Sequence, residues 1–129
     1  MLYVTDTHPF IWHLAEDERL SGDAAEVFRK AERGVAMVVV PTIVLAECMY
    51  LAEKHRVKVE FHDVLCKVQA ALNYRVYPLD LTVILRAGEL VKLREIHDRL
   101  IVATAQLLKA RLITRDEGIR SSGHVETVW

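Results

Sequence analysis

Cysteine, glycine and proline are all scarce in this chain, and so is any excess of one charge. Two cysteines (Cys48 and Cys66) in 129 residues, with no CxxC spacing, exclude a disulfide scaffold and a thiolate zinc centre, and both are read as free core thiols. Three prolines and five glycines leave little chain for long loops and none for a glycine-rich phosphate cradle. Long apolar runs are missing too. The longest charge-free stretch, Gly34 to Ala46, is broken by Pro41 and falls short of the roughly 20 residues that cross a bilayer. Met1 to Asp6 has no positive segment and no long apolar run of the secretory kind, so no membrane association and a cytoplasmic location are expected. With 17 basic and 18 acidic residues the net charge is −1, so bulk charge cannot hold nucleic acid and any such contact needs a local patch. One stretch offers a weak candidate: residues 81 to 120 hold eight Lys and Arg against five Asp and Glu.

What is present is an ordinary globular composition, 52% hydrophobic and 27% charged, at the length of one domain spanning residues 1–129. Leu2 to Thr5 is β-prone and meets Asp6, and His8 to Ala15 continues with helical spacing. Ser21 caps a second helix that Gly34 ends. Val35 to Val40 has the continuous apolar run of a strand buried on both faces, and Pro41-Thr42 opens a helix with Val44, Leu45, Cys48, Leu51 and Ala52 as its stripe. Helical spacing returns over Phe61 to Leu72, Leu81 to Leu93 and Asp98 to Lys109. Short strands are expected at Arg75 to Pro78, Leu112 to Thr114 and His124 to Val128. Strands alternating with helices imply right-handed crossovers and a three-layer α/β/α sandwich around a mainly parallel sheet.

In such sheets ligands bind beyond the carboxyl ends of the strands, and acids stand at that edge. Asp6 and Asp116 each follow a strand. Glu47 is a lone charge on an otherwise apolar helix, and Asp98 opens the apolar helix that ends near Lys109. Each has an ordinary explanation alone, as a helix cap or a dipole partner. Together they converge. Four carboxylates about 5 Å apart at an effective dielectric near 20 would repel by roughly 3 kcal/mol per pair, roughly 20 in all. The cluster must take up protons or a cation, and an all-oxygen set selects Mg²⁺ or Mn²⁺, the chemistry of phosphodiester hydrolysis by an activated water. Arg99 and Arg115, each next to one of these acids, are candidates for substrate phosphate contacts. Most of the six histidines are read as surface or capping residues, with His97, beside Asp98, a lesser candidate for substrate contact, and Phe10, Trp12 and Tyr50 as core or interface.

The segments VTDTHPFIW, PTIVLAE and IHDRLIVATAQLLKARLITRDEGIR resemble the PIN-domain family, and within it the VapC-type toxins of toxin-antitoxin pairs, over essentially the whole chain. The resemblance implies a sheet of about five strands and four acidic positions matching Asp6, Glu47, Asp98 and Asp116. It implies one or two Mg²⁺ or Mn²⁺ ions and RNA cleavage. Thr7 and Thr114 match hydroxyl positions that support the acids. Glu95-Ile96-His97 departs from the family's usual lead into the third acid, and Glu117 is read as surface. A homodimer and a cognate antitoxin protein are further implications. Two other readings use the same residues: a catalytically idle PIN-like protein-binding module, and a metal-dependent phosphohydrolase acting on small phosphate esters.

Overall fold

The computed structural model describes residues 1–129. Five parallel strands, β1 (Leu2–Thr5), β2 (Met37–Pro41), β3 (Tyr74–Tyr77), β4 (Arg111–Ile113) and β5 (Thr127–Val128), form one sheet in the order β3-β2-β1-β4-β5. Seven helices connect and flank them: α1 (Thr7–Leu14), α2 (Gly22–Glu32), α3 (Thr42–Glu53), α4 (Phe61–Ala70), α5 (Leu81–Gly88), α6 (Ile96–Leu108) and α7 (Glu117–Arg120). This is the expected α/β sandwich. None of the helices is long and apolar enough to cross a membrane.

The centre of the sheet is its most apolar part, for the reason the sequence suggested. Tyr3 and Val4 of β1, Val38 to Val40 of β2 and Leu112 and Ile113 of β4 are buried, because helices cover both faces. Phe10 of α1, Phe28 of α2, Val44 and Cys48 of α3, and Ile101 to Ala103 of α6 complete the core. Burying each large side chain contributes about 1.5–3 kcal/mol. The chain leaves β1 toward β2 on one side and later returns to pair β4 on the other, so strand order reverses beside β1. That reversal opens a crevice at the carboxyl ends of β1 and β4, just where Asp6 and Asp116 follow their strands.

Several boundaries differ from expectation. Gly34 turns the chain with φ of 79°, Val35 is exposed in that turn, and β2 begins only at Met37. Of the proposed α3 stripe only Val44 and Cys48 are fully buried; Leu45, Leu51 and Ala52 are half-buried. Extended backbone at Ala71 stops α4, leaving Leu72 92% exposed, and Cys66 lies on the solvent face of α4, so it is no core thiol. The helix expected through Leu93 stops at Gly88, and Leu90 and Leu93 reach the core from a turn. The last strand is confined to Thr127 and Val128.

Candidate functional site

Each of the four acids is held where its local sequence puts it. Asp6 has extended backbone and caps α1, accepting a hydrogen bond from the Thr7 amide on Oδ1 at 2.8 Å, while its own amide donates to the Ile113 carbonyl at 3.0 Å. Asp116 caps the four-residue α7, its Oδ1 accepting from the Ile119 amide at 2.9 Å. Gly118 lets that carboxylate lie close, since a Cβ there would stand 3.1 Å from Oδ1. Glu47 projects from the second turn of α3 and Asp98 from the first turn of α6.

Two threonines join three of these acids. The Thr7 hydroxyl donates to Glu47 Oε1 at 2.8 Å, and the Thr114 hydroxyl donates to Asp6 Oδ2 at 2.7 Å. Thr114 Oγ1 also accepts from the Asp116 amide at 3.1 Å. Both threonines are buried, so these bonds are shielded from water and costly to lose. A hydrogen-bonded chain therefore runs from Glu47 through Thr7, Asp6 and Thr114 to the backbone of Asp116. It joins α3 and α1 to the residues that follow β1 and β4.

The carboxylates share one open cleft of about 490 Å³. Asp6, Glu47, Asp98 and Asp116 all line it, with Thr7 between them. Charge crowding is visible in Asp98, whose carboxyl is pushed up to about 7 by burial and then by Asp116, Asp6, Glu95 and Glu47. Burial also raises Asp6, against the hydrogen bonds from Thr114 and Thr7, which favour its ionised form. Glu47 is raised by burial too, opposed by the Thr7 bond and by His97. No three acidic, histidine or cysteine side chains stand within chelating reach of one point. The donor set nevertheless suits a hard divalent cation in type: oxygen throughout, no thiolate, and an excess of negative charge that such an ion would neutralise.

Other side chains enter the cleft, and of these only His97 is a sequence candidate for substrate contact. Arg19 comes from the loop after α1, and Trp12 and His8 from α1 itself. Glu95 caps α6, accepting from the His97 amide at 3.0 Å. Its Oε1 lies 2.8 Å from His97 Nδ1, and that imidazole is 4.0 Å from Glu47 Oε2. His97 is thus a cleft residue and not merely a capping one. His13 departs from the surface reading in another way: it stacks on Phe28 at 4.4 Å and pairs with Glu32. Of the two arginines expected at the site, Arg115 lines the cleft. Arg99 does not. Its guanidinium donates to the Ala87 carbonyl at 2.9 and 3.1 Å and to the Gly88 carbonyl at 3.4 Å, closing the end of α5. Successive helical residues point about 100° apart, so a neighbour of Asp98 on α6 faces elsewhere. Arg99→Ala is therefore expected to lower stability by about 1–2 kcal/mol, by freeing half-buried carbonyls, and to leave ligand affinity at the cleft unchanged. Paired thermal melts and binding assays check this, and a loss of affinity at unaltered stability would contradict it.

Comparison with known proteins agrees with this architecture. The chain superimposes on the crystal structure of VapBC2 from Rickettsia felis bound to a promoter DNA fragment, with a TM-score of 0.71 at 16% identity, covering 98% of this chain and 97% of that one. It matches Mycobacterium tuberculosis VapC20, a Sarcin-Ricin loop cleaving toxin, with a TM-score of 0.71 at 17% identity and 98% of both chains. DNA-bound VapBC from Salmonella typhimurium gives 0.68 at 18% identity, over 98% of this chain and 97% of that one. At such identities the likeness is one of fold. No curated protein matches the sequence significantly. The family model for the PIN domain matches residues 3–124, and with nearly the whole chain inside that match, this protein belongs to the PIN-domain family.

Proposed function

We propose that the chain is a metal-dependent endoribonuclease, the toxin of a VapC-type toxin-antitoxin pair, carried on a single domain over residues 1–129. The observation that bears most weight is the convergence of Asp6, Glu47, Asp98 and Asp116 on one cleft, with Asp98 pushed up to about 7 by burial and by the acids around it. An acid cluster of this charge, at a strand-order reversal, suits a divalent cation better than it suits any apolar ligand.

In this reading Asp6, Glu47, Asp98 and Asp116 hold one or two Mg²⁺ or Mn²⁺ ions. When bound, the ion supplies an acidified water as nucleophile and neutralises charge building up on the phosphodiester. The chain's own residues do the rest. Thr114 and Thr7 fix the Asp6 and Glu47 carboxylates and favour their ionised forms. Asp116 is aimed by its bonds to Ile119 and Thr114. His97, between Glu95 and Glu47, is placed to exchange a proton at Nδ1. Arg115 reaches the cleft as a phosphate contact.

An antitoxin partner is proposed because neighbours of the same fold are toxin-antitoxin complexes. The homodimer and the cytoplasmic site of action belong to the same proposal. The test is cleavage of a pool of structured RNAs with Mn²⁺, Mg²⁺ or EDTA. Cutting with either metal and none with EDTA is the expected result. Hydrolysis of small phosphate esters alone would overturn the RNA assignment, and inertness toward both substrates in every metal would return the fold to a binding role.

A further inference from the structure

Both tryptophans of the chain stand together beside the cleft. Trp12 and Trp129 have ring centroids 6.0 Å apart, and His8 lies 5.6 Å from Trp12. The same indole carries two guanidiniums, Arg19 at 5.0 Å and Arg115 at 5.5 Å from its centroid. Trp12 is only 6% exposed, so it serves as a support and leaves no open face for a base to stack on.

Arg19 is fixed from a second direction. Asp17 accepts from the Arg19 amide at 2.9 Å and from Nε and Nη2 at 3.0 and 2.7 Å, and the Asp17 amide donates to the Trp12 carbonyl at 2.8 Å. Of the five N–H groups on a guanidinium this engages two and leaves three. Arg115, between Thr114 and Asp116 in the chain, pairs with no carboxylate. Two like charges held against one ring repel, and cation–π attraction offsets part of that cost. Asp17 already offsets the charge of Arg19, so what is left for an anion is the unpaired charge of Arg115 and the three free N–H groups of Arg19.

The cleft carries both signs of charge: Asp6, Glu47, Glu95, Asp98 and Asp116 line it, and so do Arg19 and Arg115. A polyanion is repelled by the carboxylates wherever no cation intervenes, so its grip must come from the guanidiniums. We propose that Arg19 and Arg115, braced on Trp12, form a subsite for a phosphodiester flanking the one that is cut, which makes the preferred ligand a single-stranded RNA segment and not an isolated phosphate ester. The planar guanidinium fork matches the paired oxygens of a phosphodiester, and arginines already immobilised lose little freedom when they bind one. This subsite rests on the nuclease reading above and adds to it a residue, Arg19, that no sequence pattern marked.

The test uses Asp98→Asn protein with Mg²⁺, to prevent turnover, and a short fluorescein-labelled single-stranded RNA of mixed sequence followed by anisotropy across a salt series. Changing Arg19→Gln and Arg115→Gln together is expected to weaken binding on the order of tenfold. It should also flatten the plot of log affinity against log salt by about 0.7, the amount for one phosphate contact to a single strand. Lysine at both positions should restore the slope, because the slope counts charge. In the otherwise unmodified enzyme the glutamine pair should raise KM for RNA with little change in kcat. Tryptophan emission gives a label-free check, since Trp12 supports both arginines and should respond to RNA but not to inorganic phosphate at equal concentration. An unchanged slope and KM would overturn the subsite and leave the nuclease reading intact. If the parent protein neither binds nor cleaves RNA, both fall.

Discussion

Asp98→Asn should abolish RNA cleavage, a loss on the order of a thousandfold or more, and at the same time make the metal-free protein more stable. The two effects share a cause. Burial, and then the neighbouring Asp116, Asp6, Glu95 and Glu47, push the Asp98 carboxyl up to about 7 from a normal value of 3.8. A carboxyl whose folded value lies above its unfolded value contributes no penalty below about pH 4, where it is protonated in both states. The penalty grows as pH rises and is complete above about pH 7. The full shift corresponds to about 4 kcal/mol, and partial solvation of the cleft reduces the effective figure to about 2 kcal/mol. The nearly isosteric, uncharged asparagine removes that penalty. For a domain of this size the gain is about 5–10 °C in Tm near pH 8, shrinking to nothing toward pH 4.

Metal should reverse the ranking. A cation that binds only the folded wild type raises its stability by about 2.7 kcal/mol at a hundred times the dissociation constant, whereas the variant, lacking one ligand, gains less. Melts in EDTA and in Mn²⁺ between about pH 4 and pH 8 would show the two curves closing or crossing. An Asp98→Asn protein no more stable than wild type in EDTA at pH 8 would remove the electrostatic argument for the site.

The parts of this site legible in the sequence are those fixed by strand ends. Asp6 follows one apolar β run directly and Asp116 comes just after another, so the topology of a parallel sheet already brings them to one edge, and Glu47 stood out as a lone charge within the apolar body of a helix whose only other charge is its last residue, Glu53. Sequence neighbours on a helix were misleading. Arg99 looked like a site residue because it adjoins Asp98, yet the helical turn sends it to the end of α5. Arg115 follows a strand end, and there adjacency did carry over into space. The threonines show the opposite limit. Their identity was suggested by resemblance, but that Thr114 links Asp6 across 108 residues, and Thr7 links Glu47 across 40, is visible only once β1, β4 and α3 are assembled. Arg19 had no periodicity to betray it. Its place is set by an Asp17 turn and by an indole from the preceding helix. The early end of α5 escaped pattern reading for a related reason: Leu90 and Leu93 keep helical spacing while reaching the core from a turn.

Thr114→Val should shift the pH dependence of cleavage, and not merely lower its maximum. Valine fills nearly the same volume in this fully buried position but deletes the hydroxyl that donates to Asp6 and accepts from the Asp116 amide. The hydrogen bond from Thr114 is the largest influence favouring ionised Asp6 against the burial that raises its pKa. Without it Asp6 stays protonated to higher pH, and a protonated carboxyl is a poor ligand for a cation. The acidic limb of the rate profile should therefore move to higher pH, with activity partly recovered on raising the pH. Stability should fall by about 1–3 kcal/mol, because the Asp6 carboxylate loses its donor from the buried Thr114 and the Asp116 amide at the start of α7 loses its acceptor. Thr114→Ser, which keeps the hydroxyl, should retain the wild-type limb at a cost set only by the missing methyl group. The serine variant separates the two roles of this residue: a valine protein whose activity drops equally at every pH would make Thr114 a packing residue, whereas a shifted limb rescued by serine makes it the group that keeps Asp6 charged.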